Sequence, residues 1–205
     1  MARRTIKVFT DYKSPYAYLA KDLAYELERE TDVRLDWLPY TLDIPAYLGS
    51  AKVDAAGGVL EESRNAHQWR RVKYSYMDCR REANRSGLTI RGPQKIFDSS
   101  LANIGMLYAK QNGAFRGYHD RVFERFWKRE LDIESPTALA AVLTECGADA
   151  AGFTDFLEGE GRRQLESIRR EAEAAGVFGV PSFLLEDGDL YWGREHLPSI
   201  RELLA

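Results

Sequence analysis

Ser14 is the residue of this sequence whose position most directly suggests chemistry. A short run containing Ile6 and Val8 predicts a buried strand, and a helical pattern follows directly after Ser14-Pro15. Ser is a favoured N-cap and Pro is preformed for the first helical position, so a helix is predicted to begin here. Because the N–H groups and dipole of a helix N-terminus favour an anion, Ser14 is either a cap alone or the working hydroxyl of an anion site.

A second candidate lies near the other end of the chain, at Gly179-Val180-Pro181-Ser182-Phe183. Proline is tolerated at the first position of a strand, because it need not donate to the hydrogen-bond ladder. Taken alone, the segment predicts the end of a helix followed by a strand. The sequence leaves open whether the Val180-Pro181 bond is cis.

A basic segment runs from Arg64 to Lys95. It holds nine Lys and Arg residues against Asp78 and Glu82, whereas the whole chain has a net charge of −3. One interpretation is a solvated helix face, and the other is that part of this face attracts an anionic ligand. Nucleic acid is not expected as a partner, because the pI of about 5.7 is low and no nucleic-acid-binding motif accompanies the segment.

Composition limits the class of protein. The chain of 205 residues is 44% hydrophobic and 30% charged, which is typical of a folded soluble protein with a sizeable core. No apolar run is long enough to span a membrane, and charged residues interrupt the segment after Arg3-Arg4, so neither an anchor nor a signal peptide is expected. Cys79 and Cys146 match no metal or redox spacing, and the three histidines share none. We therefore expect no metal site and a reducing, cytoplasmic location.

The first elements are predicted to form a βαβ unit. Residues 5–11 form a strand, 15–30 a helix and 33–39 a second strand with alternating apolar side chains. Leu19 and Leu23 are expected on the buried face of the helix. A single helical crossover between the two strands makes them parallel.

The middle of the chain is predicted to be helical. Residues 45–58 form a loop, and almost no strand pattern is found up to about Gly176. The helical runs cover about 59–87, 99–112, 115–130, 136–146, 150–158 and 160–175. Ser135-Pro136 begins one of them with the same capping signature as Ser14-Pro15, so that signature alone does not mark a functional site.

Strand pattern returns at the C-terminal end, where residues 181–192 predict a hairpin and a helix covers 195–205. The order βαβ, helices, ββα is that of an α/β thioredoxin-like fold with a large all-helical insertion. We therefore assign residues 1–43 and 177–205 to a thioredoxin-like domain. Residues 44–176 are assigned to a helical insertion domain.

Thioredoxin-like redox proteins place Cys-x-x-Cys where this chain has Ser14-Pro15-Tyr16-Ala17. Without sulfur, dithiol–disulfide exchange by this site is excluded. As an N-cap, Ser14 accepts with an oxygen lone pair, so its O–H can still donate to a thiolate from outside. Lowering the pKa of such a thiol by two units takes about 2.7 kcal/mol. A charge-assisted hydrogen bond of about 1.5–3 kcal/mol and a helix-terminus contribution of about 0.3–1 kcal/mol would be enough.

Three motifs occur together: Ser-Pro-Tyr-Ala-Tyr-Leu-Ala at 14–20, Gly-Val-Pro-Ser-Phe at 179–183 and Tyr-Trp-Gly-Arg-Glu-His-Leu at 191–197. They resemble the 2-hydroxychromene-2-carboxylate isomerase family, which is related to kappa-class glutathione transferases and, more distantly, to DsbA-like oxidoreductases. The resemblance implies glutathione as cofactor, with its thiolate held by Ser14. For the cysteinyl unit of glutathione, the resemblance implies binding by Val180 next to a cis Pro181. For the γ-glutamyl end, it implies binding by Gly193, Arg194 and Glu195.

The resemblance implies an enzyme, a glutathione-dependent isomerase of an aromatic or enone carboxylate. Arg or Lys from residues 64–95 would hold the substrate carboxylate. The family's Tyr-x-x-x-Asp-x-x-Arg pattern is present at 74–81, but its Pro-rich stretch is absent. Two alternatives therefore stay open, a kappa-like glutathione transferase and a thioredoxin-fold binding protein without catalysis. The expected partners are glutathione and a small anionic aromatic substrate, with no membrane, and the family analogy suggests a homodimer.

Overall fold

The structure is a computed structural model and describes residues 3–204. Its strands are β1 (Arg4–Thr10), β2 (Val33–Pro39), β3 (Ala51–Val53), β4 (Val59–Glu62), β5 (Ser182–Leu184) and β6 (Leu190–Trp192). Its α-helices are α1 (Pro15–Glu30), α2 (Ile44–Leu48), α3 (Ala66–Arg85), α4 (Ser100–Gln111), α5 (Phe115–Lys128), α6 (Pro136–Glu145), α7 (Phe153–Glu158), α8 (Glu160–Ala174) and α9 (Leu197–Leu204). A short 3-10 turn, Arg194–His196, leads into α9.

The central sheet has the strand order β2-β1-β5-β6. β1 and β2 are parallel, with Val8 opposite Trp37, whereas β5 runs antiparallel to β1, with Val8 opposite Phe183. β6 pairs antiparallel with β5, with Tyr191 opposite Phe183. Strands from the two ends of the chain thus share one sheet, and the predicted thioredoxin-like α/β fold is confirmed.

The C-terminal half of β1, residues 8–10, is buried on both faces of the sheet. Val8 belongs to a hydrophobic cluster with residues of α1 and α9, whereas Phe9 belongs to a larger cluster on the other face. The larger cluster continues from Phe9 and Tyr12 into α4 and α5 without a break. The division into a thioredoxin-like domain and a helical insertion domain stays a prediction.

The segment between β2 and β5 is mainly helical, but the prediction that it is all-helical is wrong. Residues 51–62 contain an antiparallel hairpin, β3–β4, where the sequence predicts a loop and then a helix. α3 begins only at Ala66, with Asn65 and Gln68 forming a capping box. The side chains of β4 are all exposed, so the hairpin lacks the alternating apolar pattern that would reveal strands.

The other predicted helices agree with the structure to within about three residues. α1 has the predicted bounds, and α4 to α8 each begin and end close to the predicted positions. The inward orientation predicted for Leu23 is wrong: its side chain is 40% exposed, because this side of α1 borders an open cavity. Among the residues from 3 to 204, no helix is both long and apolar enough to cross a membrane.

Candidate functional site

Ser14 is the N-cap of α1, as predicted. Its backbone is extended, and its Oγ accepts a hydrogen bond from the N–H of Ala17 at 3.2 Å, with Pro15 at the first helical position. The side chain is only 4% exposed but borders the cavity. Within residues 3–204 no acceptor takes the hydroxyl proton. Ser14 can therefore donate one hydrogen bond to an anion in the cavity.

Asp11 fixes the loop that carries Ser14. Its buried carboxylate accepts a hydrogen bond from the N–H of Leu42 at 2.8 Å, and its carbonyl accepts one from the N–H of Ser14 at 3.0 Å. Burial raises the pKa of Asp11, and the Lys13 ammonium, 3.9 Å from the carboxylate, opposes that rise. The loop is thus tied to the chain that follows β2, which holds the Ser14 hydroxyl in place.

The Val180-Pro181 peptide bond is cis, and both residues line the same cavity as Ser14. Val180 is only 6% exposed, yet its N–H and C=O form no hydrogen bond with any residue from 3 to 204. Because buried backbone groups are nearly always paired, this is an uncommon arrangement. Both groups are available to the main chain of a peptide-like ligand.

A turn at Gly193 completes this side of the cavity. The N–H of Gly193 donates to the carbonyl of Pro181 at 2.9 Å, which ties the turn to the cis proline. Gly193 has φ 111°, a backbone conformation that residues with a Cβ rarely adopt, so glycine is favoured at this turn. The guanidinium of Arg194 lies 3.1 Å from the carboxylate of Glu82, a residue of α3.

All the predicted site residues line one cavity of about 1450 Å³. They are Ser14, Val180, Pro181, Gly193, Arg194 and Glu195. A site for one drug-sized molecule typically measures about 300–1,000 Å³. The cavity is therefore large enough for two small molecules together.

The remaining wall of the cavity is aromatic and basic. Its aromatic members are Tyr16, Tyr47, Trp69, Tyr76, Phe97, Phe178 and Trp192. Of the predicted basic segment, the residues that reach the cavity are Arg64, Arg71, Lys73, Arg80 and Lys95, whereas Arg70, Arg81, Arg85 and Arg91 do not border it. Part of the basic segment thus faces the cavity and part of it does not, and the attraction of an anionic ligand stays a prediction. A wall of this kind suits a flat, anionic molecule.

Tyr16 and Arg129 are cavity residues that the sequence did not indicate as site residues. The Tyr16 hydroxyl donates to the Asp78 carboxylate at 3.3 Å and so links α1 to α3. Burial raises the pKa of Tyr16, so its hydroxyl keeps its proton at neutral pH. Arg129 follows α5, outside the basic segment, and no local pattern distinguishes it from the surface charges beside it.

The cysteines of the chain do not supply a reactive thiol to this site. Cys79 is fully buried beside Tyr16, and burial raises its pKa to about 12. Burial also raises the pKa of Cys146. Because the thiolate is the reactive form of cysteine, a thiolate used in the cavity has to come from a ligand.

The fold and the site define a thioredoxin-fold protein whose first helix begins at Ser14-Pro15-Tyr16-Ala17, a segment without cysteine. The DsbA-like thioredoxin domain family matches residues 5–205, and the chain belongs to this family.

Individual relatives extend the match over the whole chain. The 2-hydroxychromene-2-carboxylate isomerase of Sphingobium xenophagum is 26% identical over 202 residues, which cover 98% of this chain and 98% of that protein. A solved 2-hydroxychromene-2-carboxylate isomerase superposes with a TM-score of 0.75 at 22% identity, over 97% of this chain and 93% of that one. The cytosolic disulfide reductase DsbM from Pseudomonas aeruginosa with GSH superposes with a TM-score of 0.68 at 17% identity, over 98% and 96%. At these identities the solved structures support the fold alone.

Proposed function

We propose that this protein is a glutathione-dependent isomerase that acts on an aromatic or enone carboxylate. The observation that carries the proposal is that one cavity is bordered by the Ser14 hydroxyl and by the backbone of Val180, which has no partner within residues 3–204. The whole-length similarity to a 2-hydroxychromene-2-carboxylate isomerase supports the reaction class. The neighbouring structure with GSH supports the choice of thiol.

The residues of the cavity fit glutathione. Val180 offers the N–H and C=O that would pair with the main chain of the cysteinyl residue, and Ser14 offers a proton to its sulfur. Arg194 and the turn at Gly193 would receive the γ-glutamyl end, and Glu195 could accept from its ammonium group. When bound, glutathione supplies a thiolate that adds reversibly to a conjugated double bond.

The protein's own contribution is to hold the thiolate and to position the second molecule. The Ser14 hydroxyl and the N-terminus of α1 stabilise negative charge, which favours the ionised thiol. The aromatic wall holds a flat conjugated frame and displaces water, and the basic side chains attract its carboxylate. Because the addition to the double bond is reversed at the end of the reaction, the thiol is released again and glutathione is not consumed.

Glutathione binding tests the first half of the proposal. At a concentration 100-fold above Kd, glutathione should raise the free energy of unfolding by about 2.7 kcal/mol. Ser14→Ala should weaken binding and raise the pKa of the bound thiol, measured from thiolate absorbance. Ser135→Ala is the matched control, because Ser135 makes the same 3.2 Å cap bond on α6, away from the cavity. Absence of stabilisation in the wild type would contradict the proposal.

Measuring whether glutathione is consumed tests the second half of the proposal, the isomerase reaction. The protein is incubated with glutathione and aromatic or enone carboxylates, and both thiol and substrate isomers are quantified. An isomerase changes the isomer ratio and leaves the thiol concentration constant. Loss of thiol in proportion to product would instead establish a kappa-like glutathione transferase, and glutathione binding with turnover of none of the carboxylates would favour a non-catalytic binding protein.

Compartment and assembly belong to the same proposal. A cytoplasmic location agrees with the two free cysteines and with a dependence on reduced glutathione. We also expect a homodimer, by analogy with the family. Cell fractionation tests the first, and light scattering coupled to size-exclusion chromatography tests the second.

A further inference from the structure

Three arginines from separate parts of the chain line the cavity near Tyr76. Arg64 precedes α3, Arg80 lies within α3, and Arg129 follows α5. All three line the cavity together with Tyr76. Each of them favours the ionised form of the Tyr76 hydroxyl, although burial is the larger effect and raises the pKa of Tyr76 to about 12.

The contacts around Tyr76 and Gly92 show how close these groups lie. The guanidinium carbon of Arg80 is 5.8 Å from the centre of the Tyr76 ring. A Cβ added at Gly92 would lie 3.5 Å from Nη2 of Arg80 and 3.6 Å from Cε1 of Tyr76. The Nε of Arg129 donates to the carbonyl of Gly92 at 2.8 Å. Arg80, Arg129 and Tyr76 therefore surround one glycine.

The charges of this cluster are not neutralised by the described part of the protein. None of the three arginines lies within 4.0 Å of a carboxylate in residues 3–204. The nearby cavity residues Lys95 and Arg194, in contrast, are paired with Glu134 and Glu82. Three cations near one tyrosine, without a paired anion in residues 3–204, attract a ligand that carries negative charge.

The backbone of Arg129 adds an independent observation. Its φ of 62° and ψ of 37° lie in the left-handed region, and it is the only residue other than glycine in 3–204 with positive φ. Helix ends with this conformation usually carry glycine or asparagine, because a larger side chain is unfavourable there. At Arg129 the guanidinium donates to the carbonyl of Gly92, a contact that glycine or asparagine could not make.

We propose that Arg64, Arg80 and Arg129, with Tyr76, form a binding site for a flat conjugated ligand that carries two acidic groups. One carboxylate neutralises one of the three guanidinium charges, whereas two acidic groups leave a single excess charge. Arg64 and Arg129 each use part of their guanidinium N–H groups on backbone carbonyls, and the Arg80 side chain makes no hydrogen bond within residues 3–204. Donors therefore remain on all three side chains.

The aromatic side chains beside the cluster favour a ligand of a particular shape. Tyr76 and Phe97 border the same cavity, and aromatic faces favour a planar partner. This inference rests on the proposed function in one respect, namely that the ligand is the substrate that is isomerised. Binding itself does not require glutathione, so it can be tested separately.

Phthalate is a suitable probe because it is planar and carries two carboxylates. Its Kd is measured by calorimetry at fixed ionic strength without glutathione and compared with benzoate, sulfate and the neutral dimethyl phthalate. We expect phthalate to bind at least about tenfold more tightly than benzoate, since a second charge-assisted hydrogen-bonded group is added. Equal affinity of phthalate and benzoate, or of phthalate and sulfate, would overturn the inference.

Two substitutions test the residues. Arg80→Gln removes an exposed guanidinium, and Arg129→Gly removes the other while providing the residue that the left-handed backbone prefers. Each should weaken phthalate binding at least about tenfold with an unchanged unfolding midpoint. Arg70→Gln, on the same helix but outside the cavity, is the control. Unchanged phthalate affinity in both variants would contradict the proposal.

A final measurement separates this site from the glutathione site. Phthalate affinity is measured again with saturating glutathione, and the two should bind together because the cavity has room for both. Competition would assign the arginines to glutathione and would overturn the inference. Phthalate binding without any glutathione binding would contradict the proposed function and leave the anion site established.

Discussion

The guanidinium of Arg194 lies 3.1 Å from the carboxylate of Glu82, and both side chains are at least three-quarters shielded from solvent. This ion pair joins the turn after β6 to α3. In the sequence, the two elements are separated by most of the helical segment. Glu82 also pairs with Arg85 at 2.8 Å, and the guanidinium of Arg194, followed by that of Arg85, lowers the pKa of Glu82. The position of a predicted glutathione-binding residue therefore depends on a helix from another part of the chain.

Glu82→Gln should release Arg194 and weaken glutathione binding. We expect Kd to rise about two- to fivefold, because a partly exposed ion pair contributes modestly to positioning. Calorimetric titration with glutathione measures the change, and the effect should shrink at high salt. The control is Glu160→Gln, which breaks a similar pair with Arg163 on α8. Equal glutathione affinity in wild type and Glu82→Gln would show that the pair does not position the ligand.

The Ser14 cap predicts a stability effect that is separate from its role toward a ligand. Ser14→Ala and Ser135→Ala each remove a cap bond of 3.2 Å, so each should lower the free energy of unfolding by about 1 kcal/mol without glutathione. Chemical denaturation measures both values. Addition of glutathione should then separate the two variants, because only Ser14 borders the cavity. Equal stabilisation of both by glutathione would place the ligand away from Ser14.

The two ends of the fold could be predicted because their signals are local. β1, α1 and β2 follow from a period of two, a period of 3.6 and a Ser-Pro cap, all within short windows. The hairpin β3–β4 gave no such signal, because its exposed strands have no core face and its Gly57-Gly58 turn resembles a loop. The inward orientation predicted for Leu23 was wrong for a related reason. The helical period predicts which residues share a face of the helix, but not whether that face borders the core or a cavity.

The site was predictable only in part. Ser14, Val180 and Gly193 lie in motifs that a sequence shows directly. Arg129 acquires its place through the packing of α5 beside the loop at Gly92, and this tertiary relationship leaves no trace in neighbouring residues. Residues that line a cavity from a distant helix end cannot be distinguished, in the sequence, from other exposed charges.

His119 predicts a dependence of stability on pH. It is fully buried among aromatic rings, with Nδ1 3.1 Å from the Tyr12 hydroxyl and no partner for Nε2 within residues 3–204. Burial lowers its pKa far below the usual value, and Lys21 and Arg116 lower it further. In the unfolded chain histidine titrates near about 6.5, so below that pH only the unfolded state gains a proton. Stability therefore falls with decreasing pH, by up to about 1.4 kcal/mol per pH unit.

His119→Gln removes this titration, so its free energy of unfolding should change less between pH 7 and pH 5 than that of the wild type. The difference between the two curves isolates His119 from Asp11, whose raised pKa makes its contribution to stability change with pH in the opposite direction. His67→Gln, at the exposed start of α3, serves as the control for the loss of a histidine outside the core. Parallel curves for wild type and His119→Gln would contradict the prediction.

Gly161→Ala should lower stability strongly, although the sequence alone would indicate that the substitution is favourable. Alanine in place of glycine normally stabilises a helix by about 1 kcal/mol. At Gly161, however, a Cβ would overlap the buried Ile104 side chain and lie 2.8 Å from the carbonyl oxygen of Phe156. Because that carbonyl belongs to the backbone and Ile104 is fully enclosed, neither can move freely. Gly161→Ala should therefore destabilise the contact between α4 and α8 by about 1–3 kcal/mol.

The control is Gly117→Ala in α5, where the nearest atoms are the Cβ and Sγ of Cys146 at 3.3 Å. This contact is tight but involves a half-buried side chain that can shift, so the gain in helix propensity should offset it. Urea denaturation of both variants measures the difference. A Gly161→Ala protein as stable as Gly117→Ala would show that α8 can move away from α4 without loss, and the helical segment would then be packed less rigidly than its fully buried core indicates.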